Sequence, residues 1–412
     1  MTLPASPTVR IRLGTGVSFG DGFVLGSTTQ GILGTNELAS SSIEYIDVSP
    51  QVQQIATRHG RDRVFNQYLP GEAIVQFLDF TGDWNPANTS SPYYPNVLPM
   101  RQIQVTADYQ GTEYALHSGY ITSWDYQWAD PSVDYAVVTV QSVDAFRLLQ
   151  LATITNVTGA ANKDLPGERI NLILDEIGWP ASARDIDTGT TELLNDPGTT
   201  RTALAAIQLI ADSDLGIFYI SHEGKATYVS RVALSEKAAG TPSYFDDEGV
   251  NIQYQNIDVS FDEQELANQV SFTRIGGTTQ TVSDATSISN YFLRSYEQSG
   301  LMMENNSDAL ARANQVLAYR KNPRLRIDSL VLDCSSDSDR VAVALQSEIG
   351  QPIVVEKNMA GGTNLSLRIT IQGHSHDITP DRWTTTFTTA FPLGTAFVLG
   401  SSEFGVLGSN TL

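Results

Sequence analysis

Residues 365–389 read LSLRITIQGHSHDITPDRWTTTFTT. Leu365, Leu367, Ile369 and Ile371 alternate with Ser366, Arg368, Thr370 and Gln372. After Pro380 the alternation resumes, with Trp383, Thr385, Phe387 and Thr389 set against Thr384, Thr386 and Thr388. Successive side chains of a strand point to opposite faces, so this pattern predicts two strands, each with one apolar face. The same period recurs far upstream. In Arg101–Tyr109, Ile103, Val105, Ala107 and Tyr109 share a face, and Glu72–Phe80, Glu113–Trp124 and Asp134–Val143 read as further strands. A loop carrying Pro86, Pro92 and Pro95 interrupts them, and such a proline-rich stretch cannot join a central sheet. Asp144–Leu149 reads as a closing helical turn.

Between these two β-regions the period changes to that of helices. Ile170, Ile173, Leu174 and Ile177 form one stripe over Glu168–Ile177, which Gly178-Trp179-Pro180 stops. Thr200–Ala211 repeats the spacing, and Gly216–Ser221 and Lys225–Arg231 flank a hairpin signal at His222-Glu223-Gly224. Ser307–Tyr319 predicts one more helix, capped by Ser307 and stopped before Pro323. The expected class is mainly β with an α/β insertion (α+β). It comprises a first antiparallel β-barrel or sandwich over 41–150, an α/β subdomain over 151–244 and a second β-domain over 245–392.

The two ends of the chain repeat each other. Residues 23–38 read FVLGSTTQGILGTNEL and residues 397–412 read FVLGSSEFGVLGSNTL, with ten of sixteen positions identical. Short apolar runs punctuated by glycine read as small hairpins, which are too small to be stable alone. The N-terminal arm 1–40 and the C-terminal segment 393–412 are therefore expected to carry two copies of one docking element. Its candidate interaction residues are Phe23, Gly26, Gly31 and Gly34 in the first copy, and Phe397, Gly400, Gly405 and Gly408 in the second.

Composition narrows the function classes. The 412 residues carry 25 basic and 46 acidic side chains, a net charge of −21 that lacks the basic footprint of a nucleic-acid-binding protein. Seven carboxylates lie between Lys237 and Arg274 with no cation among them; Asp246-Asp247-Glu248 reads as a flexible, solvated run. A single cysteine, Cys334, leaves no internal disulfide and no cysteine-based zinc site. The N-terminus has no apolar signal-peptide region, and no run of 18 apolar residues occurs, so a soluble product made in the cytoplasm without a membrane anchor is expected.

No catalytic set assembles from the sequence. Nucleophile-elbow, zinc-protease and phosphate-loop motifs are absent. His374 and His376 are the best metal candidates because residues i and i+2 of a strand share a face, yet no third ligand is evident and turn hydrogen bonding is the default. Asp333–Asp339 superficially suggests a calcium loop but lacks its glycine and glutamate, and reads better as the cap of a helix beginning near Arg340. Trp84, Tyr93, Tyr94, Trp124, Tyr126 and Trp128 could form a sugar-binding platform, although a core or subunit contact accounts for them more simply. Neither catalytic residues nor cofactors are expected.

An ordered series of short motifs resembles a known family. It runs from Gly60-Arg61-Asp62 and Pro70-Gly71-Glu72-Ala73 through Phe77-Leu78-Asp79, Trp84-Asn85-Pro86 and Ser91–Asn96 to Leu98–Arg101. It continues with Val143–Leu149, Gly167–Ile170, Gly178-Trp179-Pro180, Arg184–Gly189, Gly373–His376, Pro380–Trp383 and Phe404–Gly408. In this order the motifs resemble the minor tail proteins, or baseplate hub proteins, of long-tailed bacteriophages. The resemblance implies a homotrimer at the tail tip of the virion, each subunit contributing two tail-tube-like β-domains to a six-fold surface. It also implies as partners a distal tail protein ring or tail tube, a tape measure protein and tail fibre or spike proteins, with genomic DNA passing through without specific binding. An acidic channel suits that passage, because it repels phosphate. The alternatives are a carbohydrate-binding adhesion protein and a glycoside hydrolase whose carboxylates remain unassigned.

Overall fold

A computed structural model describes residues 3–13, 45–61, 67–128, 135–362 and 364–394. Fourteen strands among them form one large sheet. The first region supplies β1 (Ser6–Arg12), β2 (Tyr45–Asp47), β3 (Val52–Gly60), β4 (Leu69–Asp79), β5 (Gln102–Tyr109), β6 (Thr112–Gln127) and β7 (Ala136–Val143). The second supplies β8 (Ser243–Asp246), β9 (Ile252–Gln253), β10 (Asn256–Ser260), β11 (Arg326–Asp333), β12 (Pro352–Asn358), β13 (Asn364–Thr379) and β14 (Arg382–Ala390). Their spatial order is β9-β8-β12-β13-β3-β4-β7-β6-β5-β1-β2, with β14, β11 and β10 branching in that order from β13.

Strand β13 joins the two regions. Along one edge of β13, residues 364–370 pair with β12 and residues 373–378 pair with β3, while its other edge carries β14. At the change of partner Gly60 faces Gly373, and a Cβ added at Gly60 would lie 2.3 Å from the Gly373 Cα. Two bare backbones are what allow the regions to meet so closely. One core follows from one sheet: Val9, Ile11, Phe77 and Ile103 share a buried cluster with Ile353, Ile369, Trp383 and Phe387.

This modifies the expectation of two antiparallel barrels or sandwiches. Both regions are β-rich, but they share a sheet that does not close on itself among the described residues. The sheet is also mixed, since β8 runs parallel to both β9 and β12. Alternation in a sequence says which face a side chain takes; it does not say which strand lies alongside. The arm also contributes more than a repeat, because β1 pairs with β5 and buries Val9 and Ile11 completely.

Two smaller cores flank the sheet. Helices α1 (Phe146–Leu151), α2 (Pro166–Glu176), α3 (Ala203–Asp214) and α4 (Arg231–Ala239) accompany a three-stranded sheet of Arg184–Ile186, Ala226–Val229 and Ile217–Ile220. Here Ile170, Ile173, Leu174 and Trp179 pack on Ile207, Ile210 and Tyr228, and the Trp179 indole donates to the Ala183 carbonyl at 3.0 Å. A third core, with Val270, Phe272, Leu301 and Val316, lies between three further strands and α6 (Asn306–Arg320), inserted in the chain between β10 and β11. The short α5 (Ala285–Tyr291) adjoins it in sequence. Asn305, with extended backbone, occupies the cap position of α6, so Ser307 sits inside its first turn. Before α7 (Ser338–Gln346), Asp337 accepts from the amides of Asp339 and Arg340, which bears out the cap reading of that segment.

Candidate functional site

Strand topology gathers all five histidines of the chain into one seam, four of them buried and His222 half-buried. His59 comes from β3, His117 from β6, His374 and His376 from β13, and His222 from the turn between Ile217–Ile220 and Ala226–Val229. His59 Nε2 lies 3.0 Å from His117 Nδ1, and His117 Nε2 lies 3.0 Å from the Ser142 hydroxyl. The His222 ring stacks on His59 at 4.5 Å between centroids and meets His374 edge-on at 5.3 Å. Its Nδ1 donates to the Leu116 carbonyl at 2.9 Å. His376 Nδ1 lies 2.9 Å from the Thr385 hydroxyl and 3.4 Å from Trp383 Nε1. Neither ring nitrogen of His374 has a hydrogen-bond partner among the described residues.

Two glycines make room for these rings. A Cβ at Gly71 would lie 2.3 Å from His59 Nδ1 and 2.8 Å from Asp144 Oδ2; one at Gly119 would lie 2.6 Å from His117 Nε2. Beside the seam a cavity of about 630 Å³ is lined by His222, His374 and His376 and rimmed by Glu113, Asp185, Asp187, Glu223 and Glu348.

Burial disfavours the charged form of every ring. It pushes His117 and His376 down to about 3, with the charge of His222 adding to the effect. His59 and His374 are held well below the ordinary value by the same two causes, and the other histidines deepen the effect. His222 is lowered by burial too, but the Leu116 carbonyl, Glu223 and Glu348 oppose that shift. Nearby Asp144 is raised by burial to about 7, although it accepts from the amides of Gly71 and Phe146.

The sequence placed His374 and His376 on one face, and both are indeed buried on the same side of β13. Their neighbours were invisible to it, because His59, His117 and His222 are brought in by long-range pairing. Even so, no three metal-ligating side chains converge among the described residues.

The other candidates resolve differently. Of the aromatic set, Trp84 is buried, Tyr93, Trp124 and Tyr126 pack half-buried against the same core, and Tyr94 is exposed. Trp84 lies 4.7 Å from Tyr93, 5.5 Å from Phe77 and 5.7 Å from Trp124 between ring centroids. Trp124 Nε1 donates to the Leu98 carbonyl, the Tyr126 hydroxyl donates to Asp79, and only Trp128 of the three tryptophans is exposed. The acidic run is not simply solvated surface. Asp246 is buried and accepts from the amides of Glu248, Gly249 and Asn251, Asp247 pairs with Lys357, and Asp262 pairs with Arg326. Amide donors and cations from elsewhere in the chain turn that segment into a structured loop. The repeat residues Phe23, Gly26, Gly31, Gly34, Phe397, Gly400, Gly405 and Gly408 lie outside the described residues. No helix among the described residues is long and apolar enough to cross a membrane.

No family model and no curated relative matches the sequence. Solved structures do match. A tail protein from Neisseria meningitidis MC58 superposes with a TM-score of 0.57 over 94% of this chain and 96% of its own, at 11% identity. A 43 kDa tail protein of prophage MuSo2 from Shewanella oneidensis gives 0.55 over 85% and 96%, at 12% identity. At such identities the likeness concerns the fold: this chain has the mostly β, partly helical architecture found in those two tail proteins.

Proposed function

We propose that this chain is a structural protein of a bacteriophage tail tip. In this reading it forms a homotrimeric hub that closes or extends the tail tube and links it to distal tail and fibre proteins. The observation that carries the reading is the shared fold, which spans almost the whole of this chain and of the Neisseria tail protein. The β-regions 41–150 and 245–392 serve as two tube-like units per subunit, so that three subunits meet a six-fold ring or tube. Within the tail the hub also contacts the tape measure protein and fibre or spike proteins, and genomic DNA passes a channel kept free of basic traps by the −21 charge. Exposed apolar side chains at Val250, Phe261, Phe292 and Leu293 supply subunit contact area.

The terminal repeats dock as matched elements on equivalent surfaces of the two β-regions or of the partner ring. Gly34→Val and Gly408→Val should each impair assembly while the central sheet stays folded. Packing of Trp84 into the core, with Trp124 half-buried beside it, leaves Tyr94 and Trp128 as the exposed rings of the aromatic set, which favours the hub over a carbohydrate-binding reading. Negative-stain microscopy of the purified chain tests the proposal: three-fold rings support it, and monomers that bind a glycan array overturn it.

A further inference from the structure

We propose that the five-histidine seam is a proton-operated latch: neutral imidazoles hold the 221–225 turn and the two β-regions together, and protonation releases that junction. The contacts themselves require neutral rings. Between His59 Nε2 and His117 Nδ1, 3.0 Å apart, one nitrogen must donate and the other accept. Two imidazolium rings would set N–H against N–H. An indole N–H can only donate, so His376 Nδ1, facing Trp383 Nε1, must keep its lone pair. His374 offers no acceptor to a second ring proton, since neither of its nitrogens has a partner among the described residues. Only His222 lies where a charge is eased, beside Glu223 and Glu348 at the cavity. It therefore takes the first proton, and its charge then opposes the other four rings.

The surrounding groups do not cancel this. Facing the cavity are Glu113 and Tyr114 from β6, Asp185 and Asp187 around Arg184–Ile186, Tyr219 and Tyr228 from the small sheet, and Lys237 from α4. The turn adds Glu223 and Lys225, and the segment after α7 adds Glu348. Each carboxylate beside His222 also holds a lysine, Glu223 with Lys225 and Glu348 with Lys237, which offsets part of the relief they give but leaves them the anions nearest that ring. Asp187 accepts from the Ser230 amide. On the far side stand Asp144 and Glu72. Because folding lowers the histidine values, the unfolded or opened chain binds more protons below the ordinary value of 6.5. Stability present above 6.5 is thus lost as pH falls. Asp144, raised in the folded chain, acts in the opposite sense but is a single group.

Hydrogen exchange on the full chain, corrected for intrinsic rates, tests the latch between pH 7.5 and 5.0. Segments 113–120 and 217–229 should lose protection tenfold or more relative to the strands around Trp84. His374→Phe removes no hydrogen bond and should lower the proton uptake on opening by about one. His222→Gln can still donate to the Leu116 carbonyl, stays neutral, and should keep the turn closed at pH 5.0. Unchanged protection in the parent chain overturns the proposal, as does a loss spread evenly over the chain. Acid opening that persists undiminished in both variants does so as well. A urea midpoint at pH 7.5 that rises with zinc chloride or falls with EDTA overturns it in favour of a metal seat.

Discussion

Two clusters of rings sit against the large sheet, and they are built on opposite terms. Around Trp84, the indole and phenol polar atoms that turn inward find partners, Trp124 on the Leu98 carbonyl and Tyr126 on Asp79. Asp79 in turn holds the loop through the amides of Thr81, Gly82 and Trp84. Around His59 four of the five rings are buried, yet His374 is left without a hydrogen-bond partner among the described residues and the His59–His117 contact has room for only one proton between its two nitrogens. Rings without a titratable nitrogen give packing that does not depend on their own protonation. Burying rings that can titrate makes stability conditional on their staying neutral.

Acidification should separate the two clusters most. For His117 and His376, pushed down to about 3, each contributes on the order of 2 kcal/mol of lost stability at pH 5.0 relative to neutral pH. Asp144 returns about 2–3 kcal/mol over the same range, because its folded-state value near 7 favours the protonated, folded form. His59, His222 and His374 shift in the destabilising direction and tip the balance, so a net loss is expected in urea titrations at pH 7.5 and 5.0. A rise in stability on acidification would mean that Asp144 outweighs the seam.

Trp84→Ala should cost roughly 3–5 kcal/mol, the usual consequence of truncating a buried aromatic ring. The loss should be equal at pH 7.5 and 5.0, since the indole ring removed carries no group that takes up a proton in this range. A loss that grew at low pH would show that the two clusters are coupled. Trp128 marks the lower end of the scale. At 62% exposure it rests on Tyr126 from outside, and Trp128→Ala should move stability by no more than about 0.5 kcal/mol in the same titrations.

These clusters also mark what the sequence could and could not reveal. Phe77, Trp84 and Trp124 declare themselves by alternation and by a proline-bounded loop, so a core was the natural reading. Strands β4 to β7, β13 and β14, with α2, α3 and α7, were legible for the same reason, since period, cap and stop all sit within a dozen residues. By contrast, β1, β3, β11 and β12 carry no such local signal and emerge only from their pairing. The histidine seam depends on β13 changing partner from β12 to β3 at Gly373, a pairing across more than 300 residues that no local pattern encodes. His374 and His376 could be seen together, whereas His59, His117 and His222 could be added only once the sheet was known. The same limit explains why two β-regions were expected as separate units, when a single long strand joins them.

The reading of this fold as a trimeric tail hub is tested most directly by sedimentation equilibrium of the purified chain at pH 7.5 over a range of salt. Three copies of a 44.8 kDa chain should appear as a species of about 134 kDa. That species should become more populated as salt screens the −21 charge of each subunit over distances beyond about 8 Å. A mass that stays at 44.8 kDa at every salt concentration would contradict it.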